Sequence, residues 1–215
     1  MVSEPKDRVG VKYRCSSIPH KNMESKYMRK LIVLCHLSLD GIAAKPDGSL
    51  DWVSYDTDLE GWAEPIVKAT DTALYGRVTY ELMKYWQTAP SNPNASKHEL
   101  EHARWIEHVE KVVVSEPNLS PDWNNTRVVS ENLEEEILKL KRKPGKNITV
   151  FGSPTLANSL IKLGLVDEYQ LSVSPILLGD GKLLFKDIKE TALKLVEEKA
   201  YASGAITLHY QALKK

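Results

Sequence analysis

Two strand-to-helix junctions carry residue types suited to gripping an anion. The first runs Ile148-Thr149-Val150-Phe151-Gly152-Ser153-Pro154-Thr155-Leu156. An apolar, β-branched run ends in Gly152, Ser153 stands where a helix N-cap belongs, and Pro154 suits the first helical turn. Backbone amides at such a start, with the helix dipole behind them, favour phosphate. The second junction runs Ala73-Leu74-Tyr75-Gly76-Arg77-Val78-Thr79, again strand, glycine and a hydroxyl, with Arg77 adding a cation. Neither is a GxGxxG turn or a Walker loop. Placed in one sheet, the two would hold a dinucleotide's diphosphate between them.

A second chemistry is written in His98-Glu99-Leu100-Glu101-His102, which satisfies H-E-x-x-H on a helical stretch, with His108 spaced as a third ligand. Two histidines four apart share a helix face and can bind zinc, with the glutamate activating water. Trp105 stands where a metzincin needs glycine, and no methionine follows Met83 to form a downstream Met-turn. The flanking residues are also strongly polar. A solvated helix, apolar along Leu100, Ala103, Ile106 and Val109, is the expectation, and no metal is assigned.

The elements that position these junctions follow from hydrophobic periodicity. Strands are predicted at Leu31–Leu39, Thr72–Tyr75, Lys111–Ser115, Thr126–Ser130, Ile148–Phe151 and Tyr169–Val173. Helices are predicted at Asp56–Thr70, Thr79–Trp86, Ser96–Val109, Leu133–Arg142 and Pro154–Leu163. A C-terminal hairpin joins Leu195–Lys199 to Ala205–Gln211 near Ser203-Gly204. Such alternation predicts an α/β fold, a mostly parallel central sheet flanked by helices on both faces with an antiparallel C-terminal edge. Residues 1–27 show no apolar periodicity and are expected to be a flexible tail, leaving 28–215 as one domain.

Composition narrows the function. The 215 residues carry 29 basic and 29 acidic side chains. With no net charge, no global field draws the chain to nucleic acid or an anionic membrane. Two cysteines, Cys15 and Cys35, cannot form an all-cysteine zinc site or a disulfide scaffold, which favours a reduced, cytoplasmic setting. The basic start at Met28-Arg29-Lys30 before an apolar run imitates a signal peptide. His36 interrupts that run and Asp40 closes it, well short of the ~20 residues a spanning helix needs.

Five blocks in order resemble the dihydrofolate reductase-like family, which includes the C-terminal reductase domain of bacterial riboflavin biosynthesis. They are Lys30-Leu31-Ile32-Val33 through Asp40-Gly41 with Leu50-Asp51-Trp52; Tyr75 to Glu81; Val112 to Ser115; Val150 to Leu156; and Pro175 to Gly181. The resemblance spans roughly residues 29 to 213. It implies a dihydrofolate reductase-like fold and an NADPH-dependent reductase acting on a pteridine- or pyrimidine-like small molecule. Gly76, Arg77 and Thr79 would flank the diphosphate and 2′-phosphate end. Gly152, Ser153, Thr155 and Leu156 would cradle the diphosphate, and Ser115 would lie near the adenosine ribose. Glu116 departs from the family by placing a carboxylate beside that ribose. Asp58, with Asp56 beside it, would support protonation, though both also suit a helix N-terminus. Asp40 and Trp52 would border the substrate. Ile42 stands where the riboflavin-pathway reductases tend to carry lysine. The resemblance suggests a homodimer, and a non-catalytic nucleotide-binding module is the alternative reading.

Overall fold

The structure is a computed structural model that describes residues 28–53, 59 and 61–213. The expected tail at 1–27 and the start of the expected helix at 56–70, with Asp56 and Asp58, lie outside the described residues. Ten strands are described: β1 Leu31–Ser38, β2 Ile42–Ala44, β3 Thr70–Gly76, β4 Glu110–Val114, β5 Thr126–Val129, β6 Asn147–Phe151, β7 Glu168–Ser174, β8 Lys182–Leu183, β9 Leu193–Ala200 and β10 Ile206–Ala212. The α-helices are α1 Glu64–Lys68, α2 Arg77–Met83, α3 Tyr85–Thr88, α4 Lys97–His108, α5 Leu133–Arg142 and α6 Pro154–Lys162.

Eight strands form one sheet in the order β5-β4-β3-β6-β1-β7-β10-β9. Every pairing from β5 to β7 is parallel. The β10 strand then runs antiparallel to both β7 and β9. Parallel strands buried on both faces read as near-continuous apolar runs, and β1, LIVLCHLS, is buried at seven of its eight positions. One core cluster joins Leu31, Val33, Val112, Ile148 and Val150 to Ile137 and Leu140 of α5 and Leu156, Ala157 and Leu160 of α6. The opposite face packs Ala73, Tyr75, Val113 and Phe151 against Ile66 of α1, Tyr80 of α2 and Ile106 of α4.

Local signals account for the helix ends. Ser96 and Glu99 close a reciprocal capping box: the Ser96 amide donates to Glu99 Oε2 at 2.7 Å, and the Glu99 amide donates to Ser96 Oγ at 3.1 Å. In α5, Glu134, Glu135 and Glu136 occupy the first turn and Lys139, Lys141 and Arg142 the last, as the dipole favours. The expected helix over 79–86 is divided at Lys84 into α2 and α3.

The N-terminal end of β1 is pinned by buried charge. Arg29 donates to the Lys146 carbonyl at 2.6 Å and to Thr72 Oγ1 at 2.7 Å, and pairs with Asp71. Asp167 accepts from the Leu31 amide at 2.8 Å and pairs with the buried Lys141. These ties close the amino end of the sheet, and the cavity opens at the carboxyl ends of β1, β3 and β6, where ligands of open α/β sheets bind.

Two short strands escape the sequence reading. β2 pairs β8 antiparallel, Ile42 opposite Leu183 and Ala44 opposite Lys182. Two or three residues carry no period to detect. Gly181, at φ +151°, permits this approach, since a Cβ there would collide with the Ala44 carbonyl oxygen.

Candidate functional site

The two junctions read from sequence meet. Gly76 ends β3, Gly152 follows β6, and β3 and β6 are direct neighbours in the sheet. A Cβ on Gly76 would collide with Ser153 Oγ, so the two turns touch side chain to backbone. Gly152 and Ser153 are consecutive left-handed residues, at φ +56° and +48°. For serine that conformation is strained, and such strain is concentrated at functional positions. The Ser153 hydroxyl makes no capping hydrogen bond to α6, which corrects the N-cap role expected from sequence. Its place against Gly76 takes the hydroxyl to the neighbouring junction instead.

Between the junctions lies a cavity of about 470 Å³. Gly76, Arg77 and Thr79 line one side, and Gly152, Ser153, Thr155 and Leu156 line the other. The cavity continues across β1 through Leu34, Cys35 and His36 to Ala43, Ala44, Gly48, Leu50 and Lys182. It is thus a trough crossing β3, β6 and β1 in spatial order, with its hydroxyls gathered at the β3 and β6 end among apolar walls.

Electrostatics sort the lining groups. Burial pushes the Cys35 thiol up to about 12, so it is an inert thiol, and Sγ lies 3.3 Å from the His36 carbonyl. Burial pulls His36 down to about 4, leaving a neutral imidazole near pH 7. The His36 ring meets Trp62 edge-on, centroids 5.9 Å apart. No carboxylate lines the cavity among the described residues.

Four expected positions fall outside the cavity. Asp40 accepts hydrogen bonds from Ser38 Oγ at 2.5 Å, the Gly179 amide at 2.8 Å and the Leu178 amide at 3.2 Å. Those donors, the Ser38 hydroxyl foremost, hold its carboxyl down at about 2. Asp40 therefore tethers the β1–β2 turn to the loop before β8. Trp52 is 8% exposed and does not line the cavity. Ser115 has a buried hydroxyl with no partner and does not reach the cavity, whose wall there is Val114. Glu116 does not line it either, so its carboxylate does not face the trough.

The H-E-x-x-H residues have other employment. Glu99 serves the capping box, and His102 packs tilted against Trp86, 4.2 Å between centroids. His108 Nδ1 bonds the Arg104 carbonyl at 2.7 Å, and no group of three candidate ligands assembles among the described residues. Sequence reasoning missed His36 and Lys182. His36 had a signal, being the imidazole that interrupts the apolar run from Leu31 to Cys35; Lys182 had none, because only the β2–β8 pairing brings it to the rim.

Residues 29–207 match the RibD C-terminal domain. The chain belongs to that family. Two proteins of Bacillus subtilis strain 168 are close in sequence: the uncharacterized YyaP, 34% identical over 183 residues covering 85% of this chain and 94% of its own, and the uncharacterized YwjB, 30% identical over 184 residues covering 85% and 97%. Among solved structures, a pyrimidine reductase-like protein from Corynebacterium diphtheriae superposes with a TM-score of 0.60 at 16% identity, covering 93% of this chain and 96% of that one. The bifunctional diaminohydroxyphosphoribosylaminopyrimidine deaminase/5-amino-6-(5-phosphoribosylamino)uracil reductase of Thermotoga maritima gives 0.61 at 13% identity, covering 88% of this chain and 58% of that one. The RibD C-terminal domain and its structural neighbours share the dihydrofolate reductase-like fold, so the expected fold class holds.

Proposed function

We propose that this RibD C-terminal domain family member is an NADPH-dependent reductase acting on a pyrimidine- or pteridine-like small molecule. The observation that carries the reading is the contact between the Gly76 and Ser153 turns above one trough. It leaves room for a diphosphate between Arg77 and Thr79 on one side and the amides opening α6 on the other. Arg77, at the rim, serves the 2′-phosphate. Gly152, Ser153, Thr155 and Leu156 serve the diphosphate. When bound, the dihydronicotinamide supplies a hydride; the chain's own part is to orient it, exclude water and meet the charge that forms. Asp58, with Asp56 beside it, remains the proposed proton support, and the reductase pairs as a homodimer.

Titration with NADPH and NADH by nicotinamide fluorescence tests the cofactor. Arg77→Ala is expected to weaken NADPH at least tenfold, about one charge-assisted contact, while leaving NADH within twofold. Equal losses would remove Arg77 from the 2′-phosphate, and a silent titration at millimolar cofactor would remove the reading. Sedimentation equilibrium at twice 24.2 kDa supports the dimer, and a single-chain mass removes it. The absence of a carboxylate among the described lining residues favours a second reading, nucleotide binding without turnover. Oxidation of NADPH by dihydrofolate or the phosphoribosylaminouracil decides between them.

A further inference from the structure

The reductase reading assigns no role to His36, which lines the trough. The polar lining divides by strand. Thr79, Ser153, Thr155 and Ser159 sit around the β3 and β6 ends, with Arg77 at their rim. One strand over, on β1, the lining is Leu34, Cys35 and His36. A nucleotide held by its diphosphate between β3 and β6 therefore directs its far end toward β1. There His36, half-buried, is the one side-chain nitrogen donor of the described lining that is not exposed. Arg77 and Lys182 are exposed at the rim, and the Cys35 thiol is directed at a backbone carbonyl.

The surroundings of His36 reinforce this. Its register partner on β7 is Ser172, and Ser38 two residues on is opposite Ser174. Paired residues of parallel strands lie on the same face, so His36, Ser172, Ser38 and Ser174 make a polar strip at the carboxyl end of β1 and β7. The hydroxyls of Ser172 and Ser174 are both buried, and neither has a hydrogen-bond partner. Buried polar atoms are normally satisfied, so two orphans beside a cavity-lining imidazole mark a place where a polar ligand edge or its water completes the network.

We propose that His36 is a catalytic residue, donating its imidazole N–H to the heteroatom of a substrate C=N or C=O group. This rests on the reductase reading and narrows the substrate class of the same trough: a small molecule whose reducible double bond ends in nitrogen or oxygen. The substrate carbon gains a hydride and forms a C–H bond; its π pair moves to the heteroatom, and the dihydronicotinamide leaves oxidised. Water supplies the heteroatom's proton, the step that Asp58 is proposed to support. His36 keeps its own proton, because burial holds it neutral and a neutral imidazole donates without becoming an acid.

Three proteins, wild type, His36→Leu and His36→Gln, are measured for NADPH affinity, for single-turnover reduction of dihydrofolate and of 5-amino-6-(5-phosphoribosylamino)uracil, and by ring-nitrogen NMR of histidine-labelled protein. NADPH affinity is expected within twofold in all three. Turnover should fall about 100-fold in His36→Leu, the usual loss of one donor aimed at developing charge. His36→Gln, which keeps an N–H, should recover at least a tenth of the wild-type rate. The His36 ring should stay neutral from pH 5.5 to 8 and shift when either probe joins the oxidised-cofactor complex. Full turnover in His36→Leu, an imidazolium at pH 7, or ring signals that neither probe moves overturns the assignment while NADPH binding stands. Wild type that binds no NADPH overturns the reductase reading and this inference together.

Discussion

At the residue scale, two side-chain-sized facts shape the trough. Gly76 has no room for a Cβ beside Ser153 Oγ, and Ser153 is held at φ +48°. Gly76→Ala is therefore expected to weaken NADPH at least tenfold and to destabilise the fold by about 1–3 kcal/mol, as overpacking does. Adding Ser153→Gly removes the clashing hydroxyl and the left-handed strain together, and should return most of the melting temperature. A double variant no more stable than the single one would mean the two turns do not press on each other. Both glycines were legible in the sequence as turns after strands, and it was their pairing in one sheet that pointed to a dinucleotide. The inward placement of His36 was not, since period-2 alternation is silent in a strand buried on both faces.

At the element scale, the β2–β8 pair and the loop after β7 are held to β1 by Asp40. The Asp-Gly signal at Asp40-Gly41 was readable as a turn, but not the use of its carboxylate. Those amides come from residues 138 and 139 positions away, and no local pattern encodes such a partner. Its carboxyl sits at about 2, below the ordinary 3.8. A carboxylate stabilised in the folded state contributes fully above its unfolded value and loses that contribution as pH falls toward the folded one. Asp40→Asn should thus melt below wild type at pH 7, and the gap should close between pH 4 and pH 2. Thermal melts at pH 7 and pH 3 with an unchanged gap would remove the tether.

For the whole molecule, two half-buried imidazoles lower stability on the acid side, beside the carboxylates. Burial pulls both His36 and His102 from 6.5 to about 4. The unfolded chain then binds more protons than the folded one between those values, so stability falls as pH drops below 6.5. Each group removes roughly 3 kcal/mol by pH 4, taking 1.36 kcal/mol per pH unit. His102→Phe keeps the packing against Trp86 and removes one titration. Its melting temperature should decline less between pH 7 and pH 4.5 than that of wild type. Parallel decline in both proteins would show that His102 charges as readily folded as unfolded. No helix among the described residues is long and apolar enough to cross a membrane, in line with the short apolar run seen at β1.

Sequence by itself determined the strand-and-helix alternation, the antiparallel C-terminal edge and the two glycine junctions, because each rests on contacts within a few residues or on a local hydrophobic period. The same local logic placed Ser96 and Pro154 at their helix starts. Only the tertiary structure decided that Gly76 and Ser153 touch, that Asp40 reaches the loop before β8, that Ser115 stays out of the trough, and that His36 enters it. Those outcomes depend on which strands become neighbours. That is set by the packing of the whole sheet against helices on both faces, and no stretch of residues contains it.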